Sequence, residues 1–250
     1  ISRLIMKKTL LASAVFGCLM ATSAQAATVV GFKIGGDYWR ADTSGTFADK
    51  GQPQQGFDYS SSAQGSYWIA VEHPLPFIPN LKIRENSLDQ KGSLANADFS
   101  FNGHDFTGNV TSYTDLSNTD FVLYYELLDN DILSLDLGAA YKLMNGSLRV
   151  QDAGHPEEKD VDSGIVMGYA STHVSMPGLG LFGFADLMLG VNESNVHDYA
   201  IGLGWEFDGV AVDTRVRVGY REFAFDVNNF SGISADTKFD GYFAGVEIDF

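Results

Sequence analysis

The sequence predicts an all-β chain, a transmembrane antiparallel up-and-down β-barrel of ten strands. Three observations predict it. An export signal stands near the N-terminus, apolar and polar residues alternate in runs of about ten to twelve residues, and the last run ends on an aromatic residue at Phe250.

The export signal occupies the first part of the chain. Residues 6–8 are Met-Lys-Lys, Leu10 to Met20 is apolar, and Ala24 and Ala26 fit the small-x-small cleavage rule. We therefore expect residues 1–26 to be an upstream extension and signal peptide, and residues 27–250 to form a single barrel domain. Cys18 could instead mark a lipoprotein box, but Phe16 is too bulky for that box and the apolar run continues past it.

Charge and cysteine content fit an exported protein that does not bind nucleic acid. Without Arg3, Lys7 and Lys8, which leave with the leader, 13 basic residues remain against 32 acidic ones, a formal charge of −19. Polyanionic nucleic acid is a poor partner for such a chain. Cys18 is the sole cysteine, so the mature chain carries no thiol, as suits an oxidising compartment.

Period-two alternation defines the strands. Leu133, Leu137 and Tyr141 share one face of a run whose other face carries Asp136 and Lys142. No apolar run after the leader is long enough for a membrane helix, so the alternatives are a soluble sandwich and a barrel. Run length and aromatic residues near the run ends favour the barrel. The predicted strands are 28–40, 63–73, 81–90, 117–128, 132–143, 163–175, 179–189, 197–207, 210–222 and 238–250.

The connections between these runs alternate in length. Short ones at 73–80, 129–131, 176–178 and 208–209 are expected to be periplasmic turns. Long ones at 41–62, 91–116, 144–162, 190–196 and 223–237 are rich in Gly, Ser, Asn and Asp and are expected to be extracellular loops. Residues 101–104 could form a hairpin tip. Three strands alternate weakly, so eight or twelve strands remain open.

Two segments resemble known outer-membrane proteins. The final alternation, which ends on Phe250, resembles the signal that the barrel-insertion machinery recognises; its residues are Tyr242, Ala244, Val246, Ile248 and Phe250. The segment Glu72 to Asn80 resembles a Pro-rich turn in a family of small, uncharacterised proteobacterial outer-membrane barrels. That resemblance implies a fold and the Gram-negative outer membrane as location, and no established activity.

The polar face of the strands places charges of both signs inside the barrel. We expect a lumen charge cluster of Asp198, Glu206, Asp213, Arg215, Arg217, Arg221, Glu247 and Asp249. Further inward charges are Lys33, Asp37, Glu72, Lys82, Arg84, Glu126, Asp136 and Lys142. The charges could set the selectivity of a channel or neutralise one another and plug the interior. The plugged interior is favoured, because a barrel of about eight to ten strands has room for little more than side chains.

Three patterns could carry chemistry. His173 and Ser175 have the spacing found in outer-membrane lipid A deacylases, but no Glu follows as a third member. Asp129 and Asp131 resemble the Asp pair of the omptin proteases only in composition, since they fall in a short turn. His197 and Asp198 are adjacent on a strand and so point to opposite faces.

The acidic loops are the last candidate. Glu157, Glu158, Asp160 and Asp162 could hold Ca²⁺ or Mg²⁺, but their spacing matches no dedicated calcium motif, and solvated loop charge is favoured. We therefore predict no catalytic residue, cofactor or metal, and a non-enzymatic structural or surface-interaction role. A narrow channel for small solutes and a lipid-modifying enzyme are the alternatives. The expected partners are outer-membrane lipid and lipopolysaccharide, with the assembly machinery during biogenesis, and the expected state is a monomer.

Overall fold

The computed structural model describes residues 30–75, 77–210 and 212–250. The expected cleavage site at Ala24 and Ala26 lies outside these residues. The described chain contains no helix long and apolar enough to span a membrane. Its elements are β1 (Gly31–Asp49), β2 (Gln55–Gly56), β3 (Asp58–Tyr59), β4 (Ser62–Glu72), β5 (Asn80–Ser87), β6 (Asp89–Phe101), β7 (His104–Asp115), β8 (Asn118–Asp129), β9 (Leu133–Met144), β10 (Gly146–Gln151), β11 (Pro156–Val161), β12 (Gly164–Ser175), β13 (Leu181–Gly190), β14 (His197–Phe207), β15 (Asp213–Phe230) and β16 (Ile233–Asp249).

Ten of these strands close into an antiparallel barrel. Their order is β1, β4, β5, β8, β9, β12, β13, β14, β15 and β16, and β16 pairs back onto β1 from Lys33↔Asp249 to Asp49↔Ile233. The predicted fold class and strand count are confirmed. Closure leaves no unpaired barrel edge, because every strand has a neighbour on both sides.

The two faces of the barrel strands separate as the alternation predicts. Tyr242 is 78% exposed and Tyr38 is 65% exposed on the outer face. Trp39, the next residue after Tyr38, is fully buried on the inner face. Successive side chains of a strand point to opposite sides, so the apolar residues form an outer belt and the charged residues enter the lumen.

The two ends of the barrel differ. The turn end carries the short connections, and the loop end carries the long ones. At the turn end, residues 73–79 join β4 to β5, and residues 130–132 join β8 to β9. In the second of these turns, Asn130 Oδ1 accepts the amides of Ile132 and Leu133, both at 3.1 Å. This bonding is local, as expected of a tight turn.

The long connections at the loop end consist largely of strands. Four of the five long connections contain strands, and β15 and β16 continue until they meet at Ser231 and Gly232. Strands β3, β6, β7, β10 and β11 form a second, five-stranded sheet above the barrel. The suggested hairpin tip is present: β6 ends at Phe101 and β7 begins at His104, with Asn102 and Gly103 at φ 50° and 82°.

An apolar core fills the space between this second sheet and the extended parts of β1, β15 and β16. Phe47 on β1 stacks on Phe57 at a ring distance of 5.0 Å and meets Phe101 edge-on at 5.6 Å. Lys159 Nζ on β11 lies 2.8 Å from Asp49 Oδ1 at the end of β1. Although these connections are rich in polar residues, they also contain apolar side chains, and burial of those side chains orders them.

Candidate functional site in the barrel lumen

A layer of buried ion pairs crosses the middle of the lumen. Asp198 on β14 is its centre and lies 2.7 Å from a guanidinium nitrogen of both Arg84 and Arg221. Lys142 Nζ lies 3.4 Å from the same Asp198 oxygen and 2.8 Å from Asp120 Oδ1. Arg84 Nε also contacts Asp120 Oδ2 at 2.9 Å. The layer joins β5, β8, β9, β14 and β15 across the lumen.

Neutral side chains complete the bonding of these charges. Arg221 donates to Ser66 Oγ at 2.6 Å and to Asn86 Oδ1 at 2.9 Å. Lys142 donates to Asn118 Oδ1 at 2.9 Å. Lys142 and Asp120 are fully buried, and Arg221 and Asp198 nearly so. Buried charges are stable only when they are paired and hydrogen-bonded, and this layer meets that condition.

A second group of ion pairs lies nearer the turn end. Arg215 contacts Glu206 at 2.8 Å, Glu247 at 3.3 Å and Asp249 at 3.5 Å. Arg217 contacts Asp37 at 2.6 Å across the intervening strand β16. Gly245 is the residue of β16 between them, and a Cβ there would overlap the Asp37 carboxylate. A glycine is therefore required at this crossing.

The structure divides the sequence-predicted cluster between these two levels. Arg221 and Asp198 belong to the central layer, and the group around Arg215 and Arg217 lies below it. Asp213 joins neither group, because its carboxylate accepts the Gly209 amide at 3.0 Å in the turn between β14 and β15. The inward charges that the sequence indicated outside the cluster are also in the lumen. Arg84 and Lys142 are in the central layer, and Lys33, Asp37, Glu72, Lys82, Glu126 and Asp136 are nearer the turn end.

Sequence reasoning missed two inward carboxylates. Asp120 pairs with Lys142 and Arg84, and Asp186 lies 3.6 Å from Arg217. Asp120 has the same parity as Glu126 on β8, so strict alternation along that strand would have placed it in the lumen. Asp186 lies on β13, whose inward residues are mostly aromatic and apolar and give a weaker charge signal.

Above the central layer, the inward faces of the same strands become aromatic. Phe223 and Phe225 follow Arg221 on β15 at every second position, and Phe239 occupies the equivalent face of β16. All three are fully buried, as is Trp39. Lys142 Nζ lies 5.0 Å from the centre of the Phe223 ring, and Arg221 lies 4.9 Å from that of Trp39. The ion-pair layer therefore meets the apolar core directly.

Below the central layer lies a polar cavity at the turn end, with a volume of about 530 Å³. Nine carboxylate residues and four Lys or Arg residues line it, together with the rings of Trp68, Tyr124, Tyr169, Phe182 and Phe184. Residues 129–131 lie at its rim. The lumen thus contains three levels: a polar cavity, an ion-pair layer and an aromatic layer.

The alternative catalytic patterns are not assembled. His173 stacks on Phe182 at 4.1 Å, and in the described residues no hydrogen bond joins it to Ser175 or to a carboxylate. Asp129 is the last residue of β8, and Asp131 lies in the β8–β9 turn. His197 points outward to Glu222 at 3.0 Å, while Asp198 points inward. The predicted opposition of these two adjacent side chains is observed.

The acidic residues of β11 are bonded within the second sheet. Glu157 accepts from Asn102 Nδ2 at 2.7 Å and lies 2.7 Å from His155 Nε2. The hydrogen bond with His155, and to a smaller extent the one from Asn102, lower the pKa of the Glu157 carboxyl. Glu158 accepts from Ser147 Oγ at 2.7 Å. Among the described residues, no group of three or more His, Cys, Asp or Glu is spaced to hold a metal ion.

No protein-family model matches the chain, and no curated protein matches it. Solved outer-membrane barrels have similar folds. The translocator domain of the autotransporter NalP from Neisseria meningitidis is 14% identical, with 99% of this chain and 95% of that chain covered and a TM-score of 0.41. Neisserial surface protein A is 13% identical, with 90% and 100% covered and a TM-score of 0.34. Ail of Yersinia pestis, solved with the heparin analogue sucrose octasulfate, is 13% identical, with 88% and 99% covered and a TM-score of 0.29. Values this low assign no activity to the chain, and its fold is established by the strand pairing itself.

Proposed function

We propose that this chain is a Gram-negative outer-membrane β-barrel protein with a closed lumen and a non-enzymatic structural or surface-interaction role. The observation that carries the proposal is the apolar belt on the outer face of a closed barrel. On β14 the belt includes Ile201, Leu203, Trp205 and Phe207, all of them large and exposed. A water-soluble protein rarely exposes such a continuous apolar surface, whereas lipid requires it.

The upper limit of the belt supports the same proposal. Tyr220 and Tyr242 meet edge-to-face at 5.5 Å on the outer surface of β15 and β16. One step further towards the loop end, the outward residues become charged, and Lys238 Nζ lies 3.6 Å from Glu222 and 3.3 Å from Asp240. An aromatic row followed by charge is the pattern of a membrane interface. Outer-membrane lipid and lipopolysaccharide are therefore the proposed neighbours of the belt.

The second sheet supports a surface role. Its outer face carries a row of side chains in register across three strands, Lys91 on β6, Tyr113 on β7 and Arg149 on β10. Lys91 Nζ lies 5.6 Å and Arg149 Cζ 5.3 Å from the centre of the Tyr113 ring. An ordered face with an exposed aromatic ring between two cations suits contact with other molecules.

The closed lumen is proposed from its filling. The ion-pair layer and the aromatic layer lie one above the other, and both consist of buried side chains. A passage for small solutes would have to cross both layers, so we do not propose a channel. We also propose that the protein is a monomer. Insertion by the barrel-insertion machinery is proposed because Tyr242, Val246 and Phe250 at the C-terminal end face outward, as an assembly signal requires.

The test uses two epitope insertions in the full chain. One is placed at Asn102–Gly103, the tip of the β6–β7 hairpin, and the matched control at Asp208–Gly209 in a turn-end connection. We expect antibody to label the first tag on intact cells and the second only after the outer membrane is permeabilised. Labelling of the control alone on intact cells, or recovery of the protein in a detergent-free soluble fraction, would contradict the proposal.

A further inference from the structure

We infer that the β4–β5 turn is a lipid anchor, whose apolar tip inserts into the phospholipid interface at the turn end of the barrel. The inference rests on the proposed membrane location and adds a second lipid contact to the belt. The tip consists of Leu75, Phe77 and Ile78, which are 51%, 92% and 51% exposed. Turns that face water are composed mainly of polar residues, Gly and Pro, so three large exposed apolar side chains in one turn require a partner.

The turn leans towards the outer face of the barrel. Tyr125 is an outward residue of β8, 44% exposed, and its hydroxyl donates to the Phe77 carbonyl at 3.0 Å. At the base of the turn, the His73 amide donates to Oδ1 of the buried Asn80 side chain at 3.0 Å. The described residues of this turn do not line the lumen cavity, whereas those of the β8–β9 turn do. The tip is therefore held beside the belt and not beneath the lumen.

The apolar belt reaches the base of this turn. Between Glu126 and Leu128 the pairing of β8 with β9 shifts by one residue. Such a bulge can leave two successive side chains on one face, and Leu127 and Leu128 are 55% and 46% exposed. On the adjacent strand β5, Leu81 is the first outward residue after the turn and is 38% exposed. Lipid that covers these leucines also reaches the tip, so the occupant is lipid.

Backbone strain at Phe77 supports a role for its exposed ring. Phe77 has φ 70°, a left-handed conformation that is unfavourable for a bulky side chain. Asn adopts this conformation more readily, and Asn96, Asn102 and Asn229 do so elsewhere in the chain. In water, a Phe at this position would combine backbone strain with an exposed apolar ring. Insertion in lipid removes the ring from water and so offsets the strain.

The first measurement places a fluorophore at single thiols in exported protein folded into phosphatidylcholine vesicles. The sole cysteine, Cys18, lies in the expected leader, so Phe77→Cys, Val218→Cys and Asp131→Cys each introduce one labelling site. Val218 is 59% exposed in the belt, and Asp131 is an exposed residue at the rim of the cavity. We expect nitroxide-bearing lipid to quench the labels at residues 77 and 218, and aqueous iodide to quench the label at residue 131.

The second measurement uses the strain itself. Phe77→Asn relieves the left-handed backbone and removes an exposed apolar ring, so in water it should stabilise the fold. If the tip lies in lipid, the loss of a large aromatic contact outweighs the relief of strain. We therefore expect a lower urea midpoint for unfolding from the vesicles. Asp131→Asn is the matched control in the neighbouring turn, and its midpoint should equal that of the parent protein. The shift in gel mobility on boiling shows that each variant is folded.

Two results would overturn the inference and leave the proposed barrel intact. One is a label at residue 77 that iodide quenches and lipid does not, while the label at residue 218 remains in lipid; the tip would then be free for a protein partner. The other is an unchanged or higher urea midpoint for Phe77→Asn. A label at residue 218 that lipid does not quench would instead contradict the proposed membrane location.

Discussion

The ion-pair layer has an unequal charge balance, and this predicts which of its members tolerates removal. Arg84, Lys142 and Arg221 contribute three positive charges, and Asp120 and Asp198 contribute two negative ones. Arg221→Met leaves two charges of each sign. Asp198→Asn leaves three cations around one carboxylate. The second change should therefore cost more, although it alters fewer atoms.

The contacts give the approximate magnitudes. Asp198 contacts Arg221 at 2.7 Å, Arg84 at 2.7 Å and Lys142 at 3.4 Å, so its neutralisation weakens three buried interactions at once. Loss of one partner of a buried pair typically costs about 3–5 kcal/mol. We expect Asp198→Asn to be at the upper end, about 5 kcal/mol. Arg221→Met should cost about 3 kcal/mol, because it leaves a balanced layer and its apolar chain can still pack on Trp39.

Equilibrium urea unfolding in phospholipid vesicles, followed by tryptophan fluorescence, measures both values. Lys91→Met is the surface control, and it should change the unfolding free energy by no more than about 0.5 kcal/mol, because Lys91 is exposed. A cost for Arg221→Met that equals or exceeds that of Asp198→Asn would refute the charge-balance reasoning.

Three further predictions follow from other parts of the chain. In planar bilayers the parent protein and an Arg215→Ala, Arg217→Ala double variant should both remain non-conducting, because the central ion-pair layer and the aromatic layer do not include either arginine; steady ion current in either would contradict this. Tyr242→Asp should lower the amount of protein inserted in the outer membrane, as seen by fractionation, because a charge on the lipid face costs up to a few kcal/mol; normal levels would argue against this belt. At the loop end, the backbone amides of Gly154 and His155 donate to the Asp152 carboxylate and lower its pKa below the usual 3.8. These hydrogen bonds therefore stabilise the turn fully above pH 3.8, and the turn loosens as the pH falls through the lowered pKa of Asp152. A fall in the protection factor of the Gly154 amide as the pH is lowered below 3.8 would show it, and pH-independent protection would contradict it.

Most of the barrel was predictable because a strand repeats every two residues and its two environments differ strongly. Along β14, Asp198 and Ala200 alternate with Tyr199 and Ile201, and the structure buries the first pair while the second pair faces outward. Each such run carries its own evidence, so all ten barrel strands could be located, although β1, β15 and β16 extend further towards the loop end than predicted. Where one face is weakly marked, as on β13, the inward Asp186 was missed.

The second sheet could not be predicted in the same way. Its strands are short or rich in Gly, Ser and Asp, and their apolar residues gain from burial only when β1, β15 and β16 supply the opposing surface. One signal was nevertheless present. Phe223, Phe225 and Val227 continue the period-two pattern of β15 beyond the expected end of the strand.

The sequence by itself determined the closed barrel, its outward and inward faces and the presence of opposite charges in the lumen. All of these depend on alternation along single strands. Only the tertiary structure decided which charges meet, because Arg84 and Asp198 lie on strands that are not neighbours and approach each other across the lumen. Partner choice there depends on the stagger of the closed sheet and on side-chain length, and neither is encoded in the local pattern of any one strand.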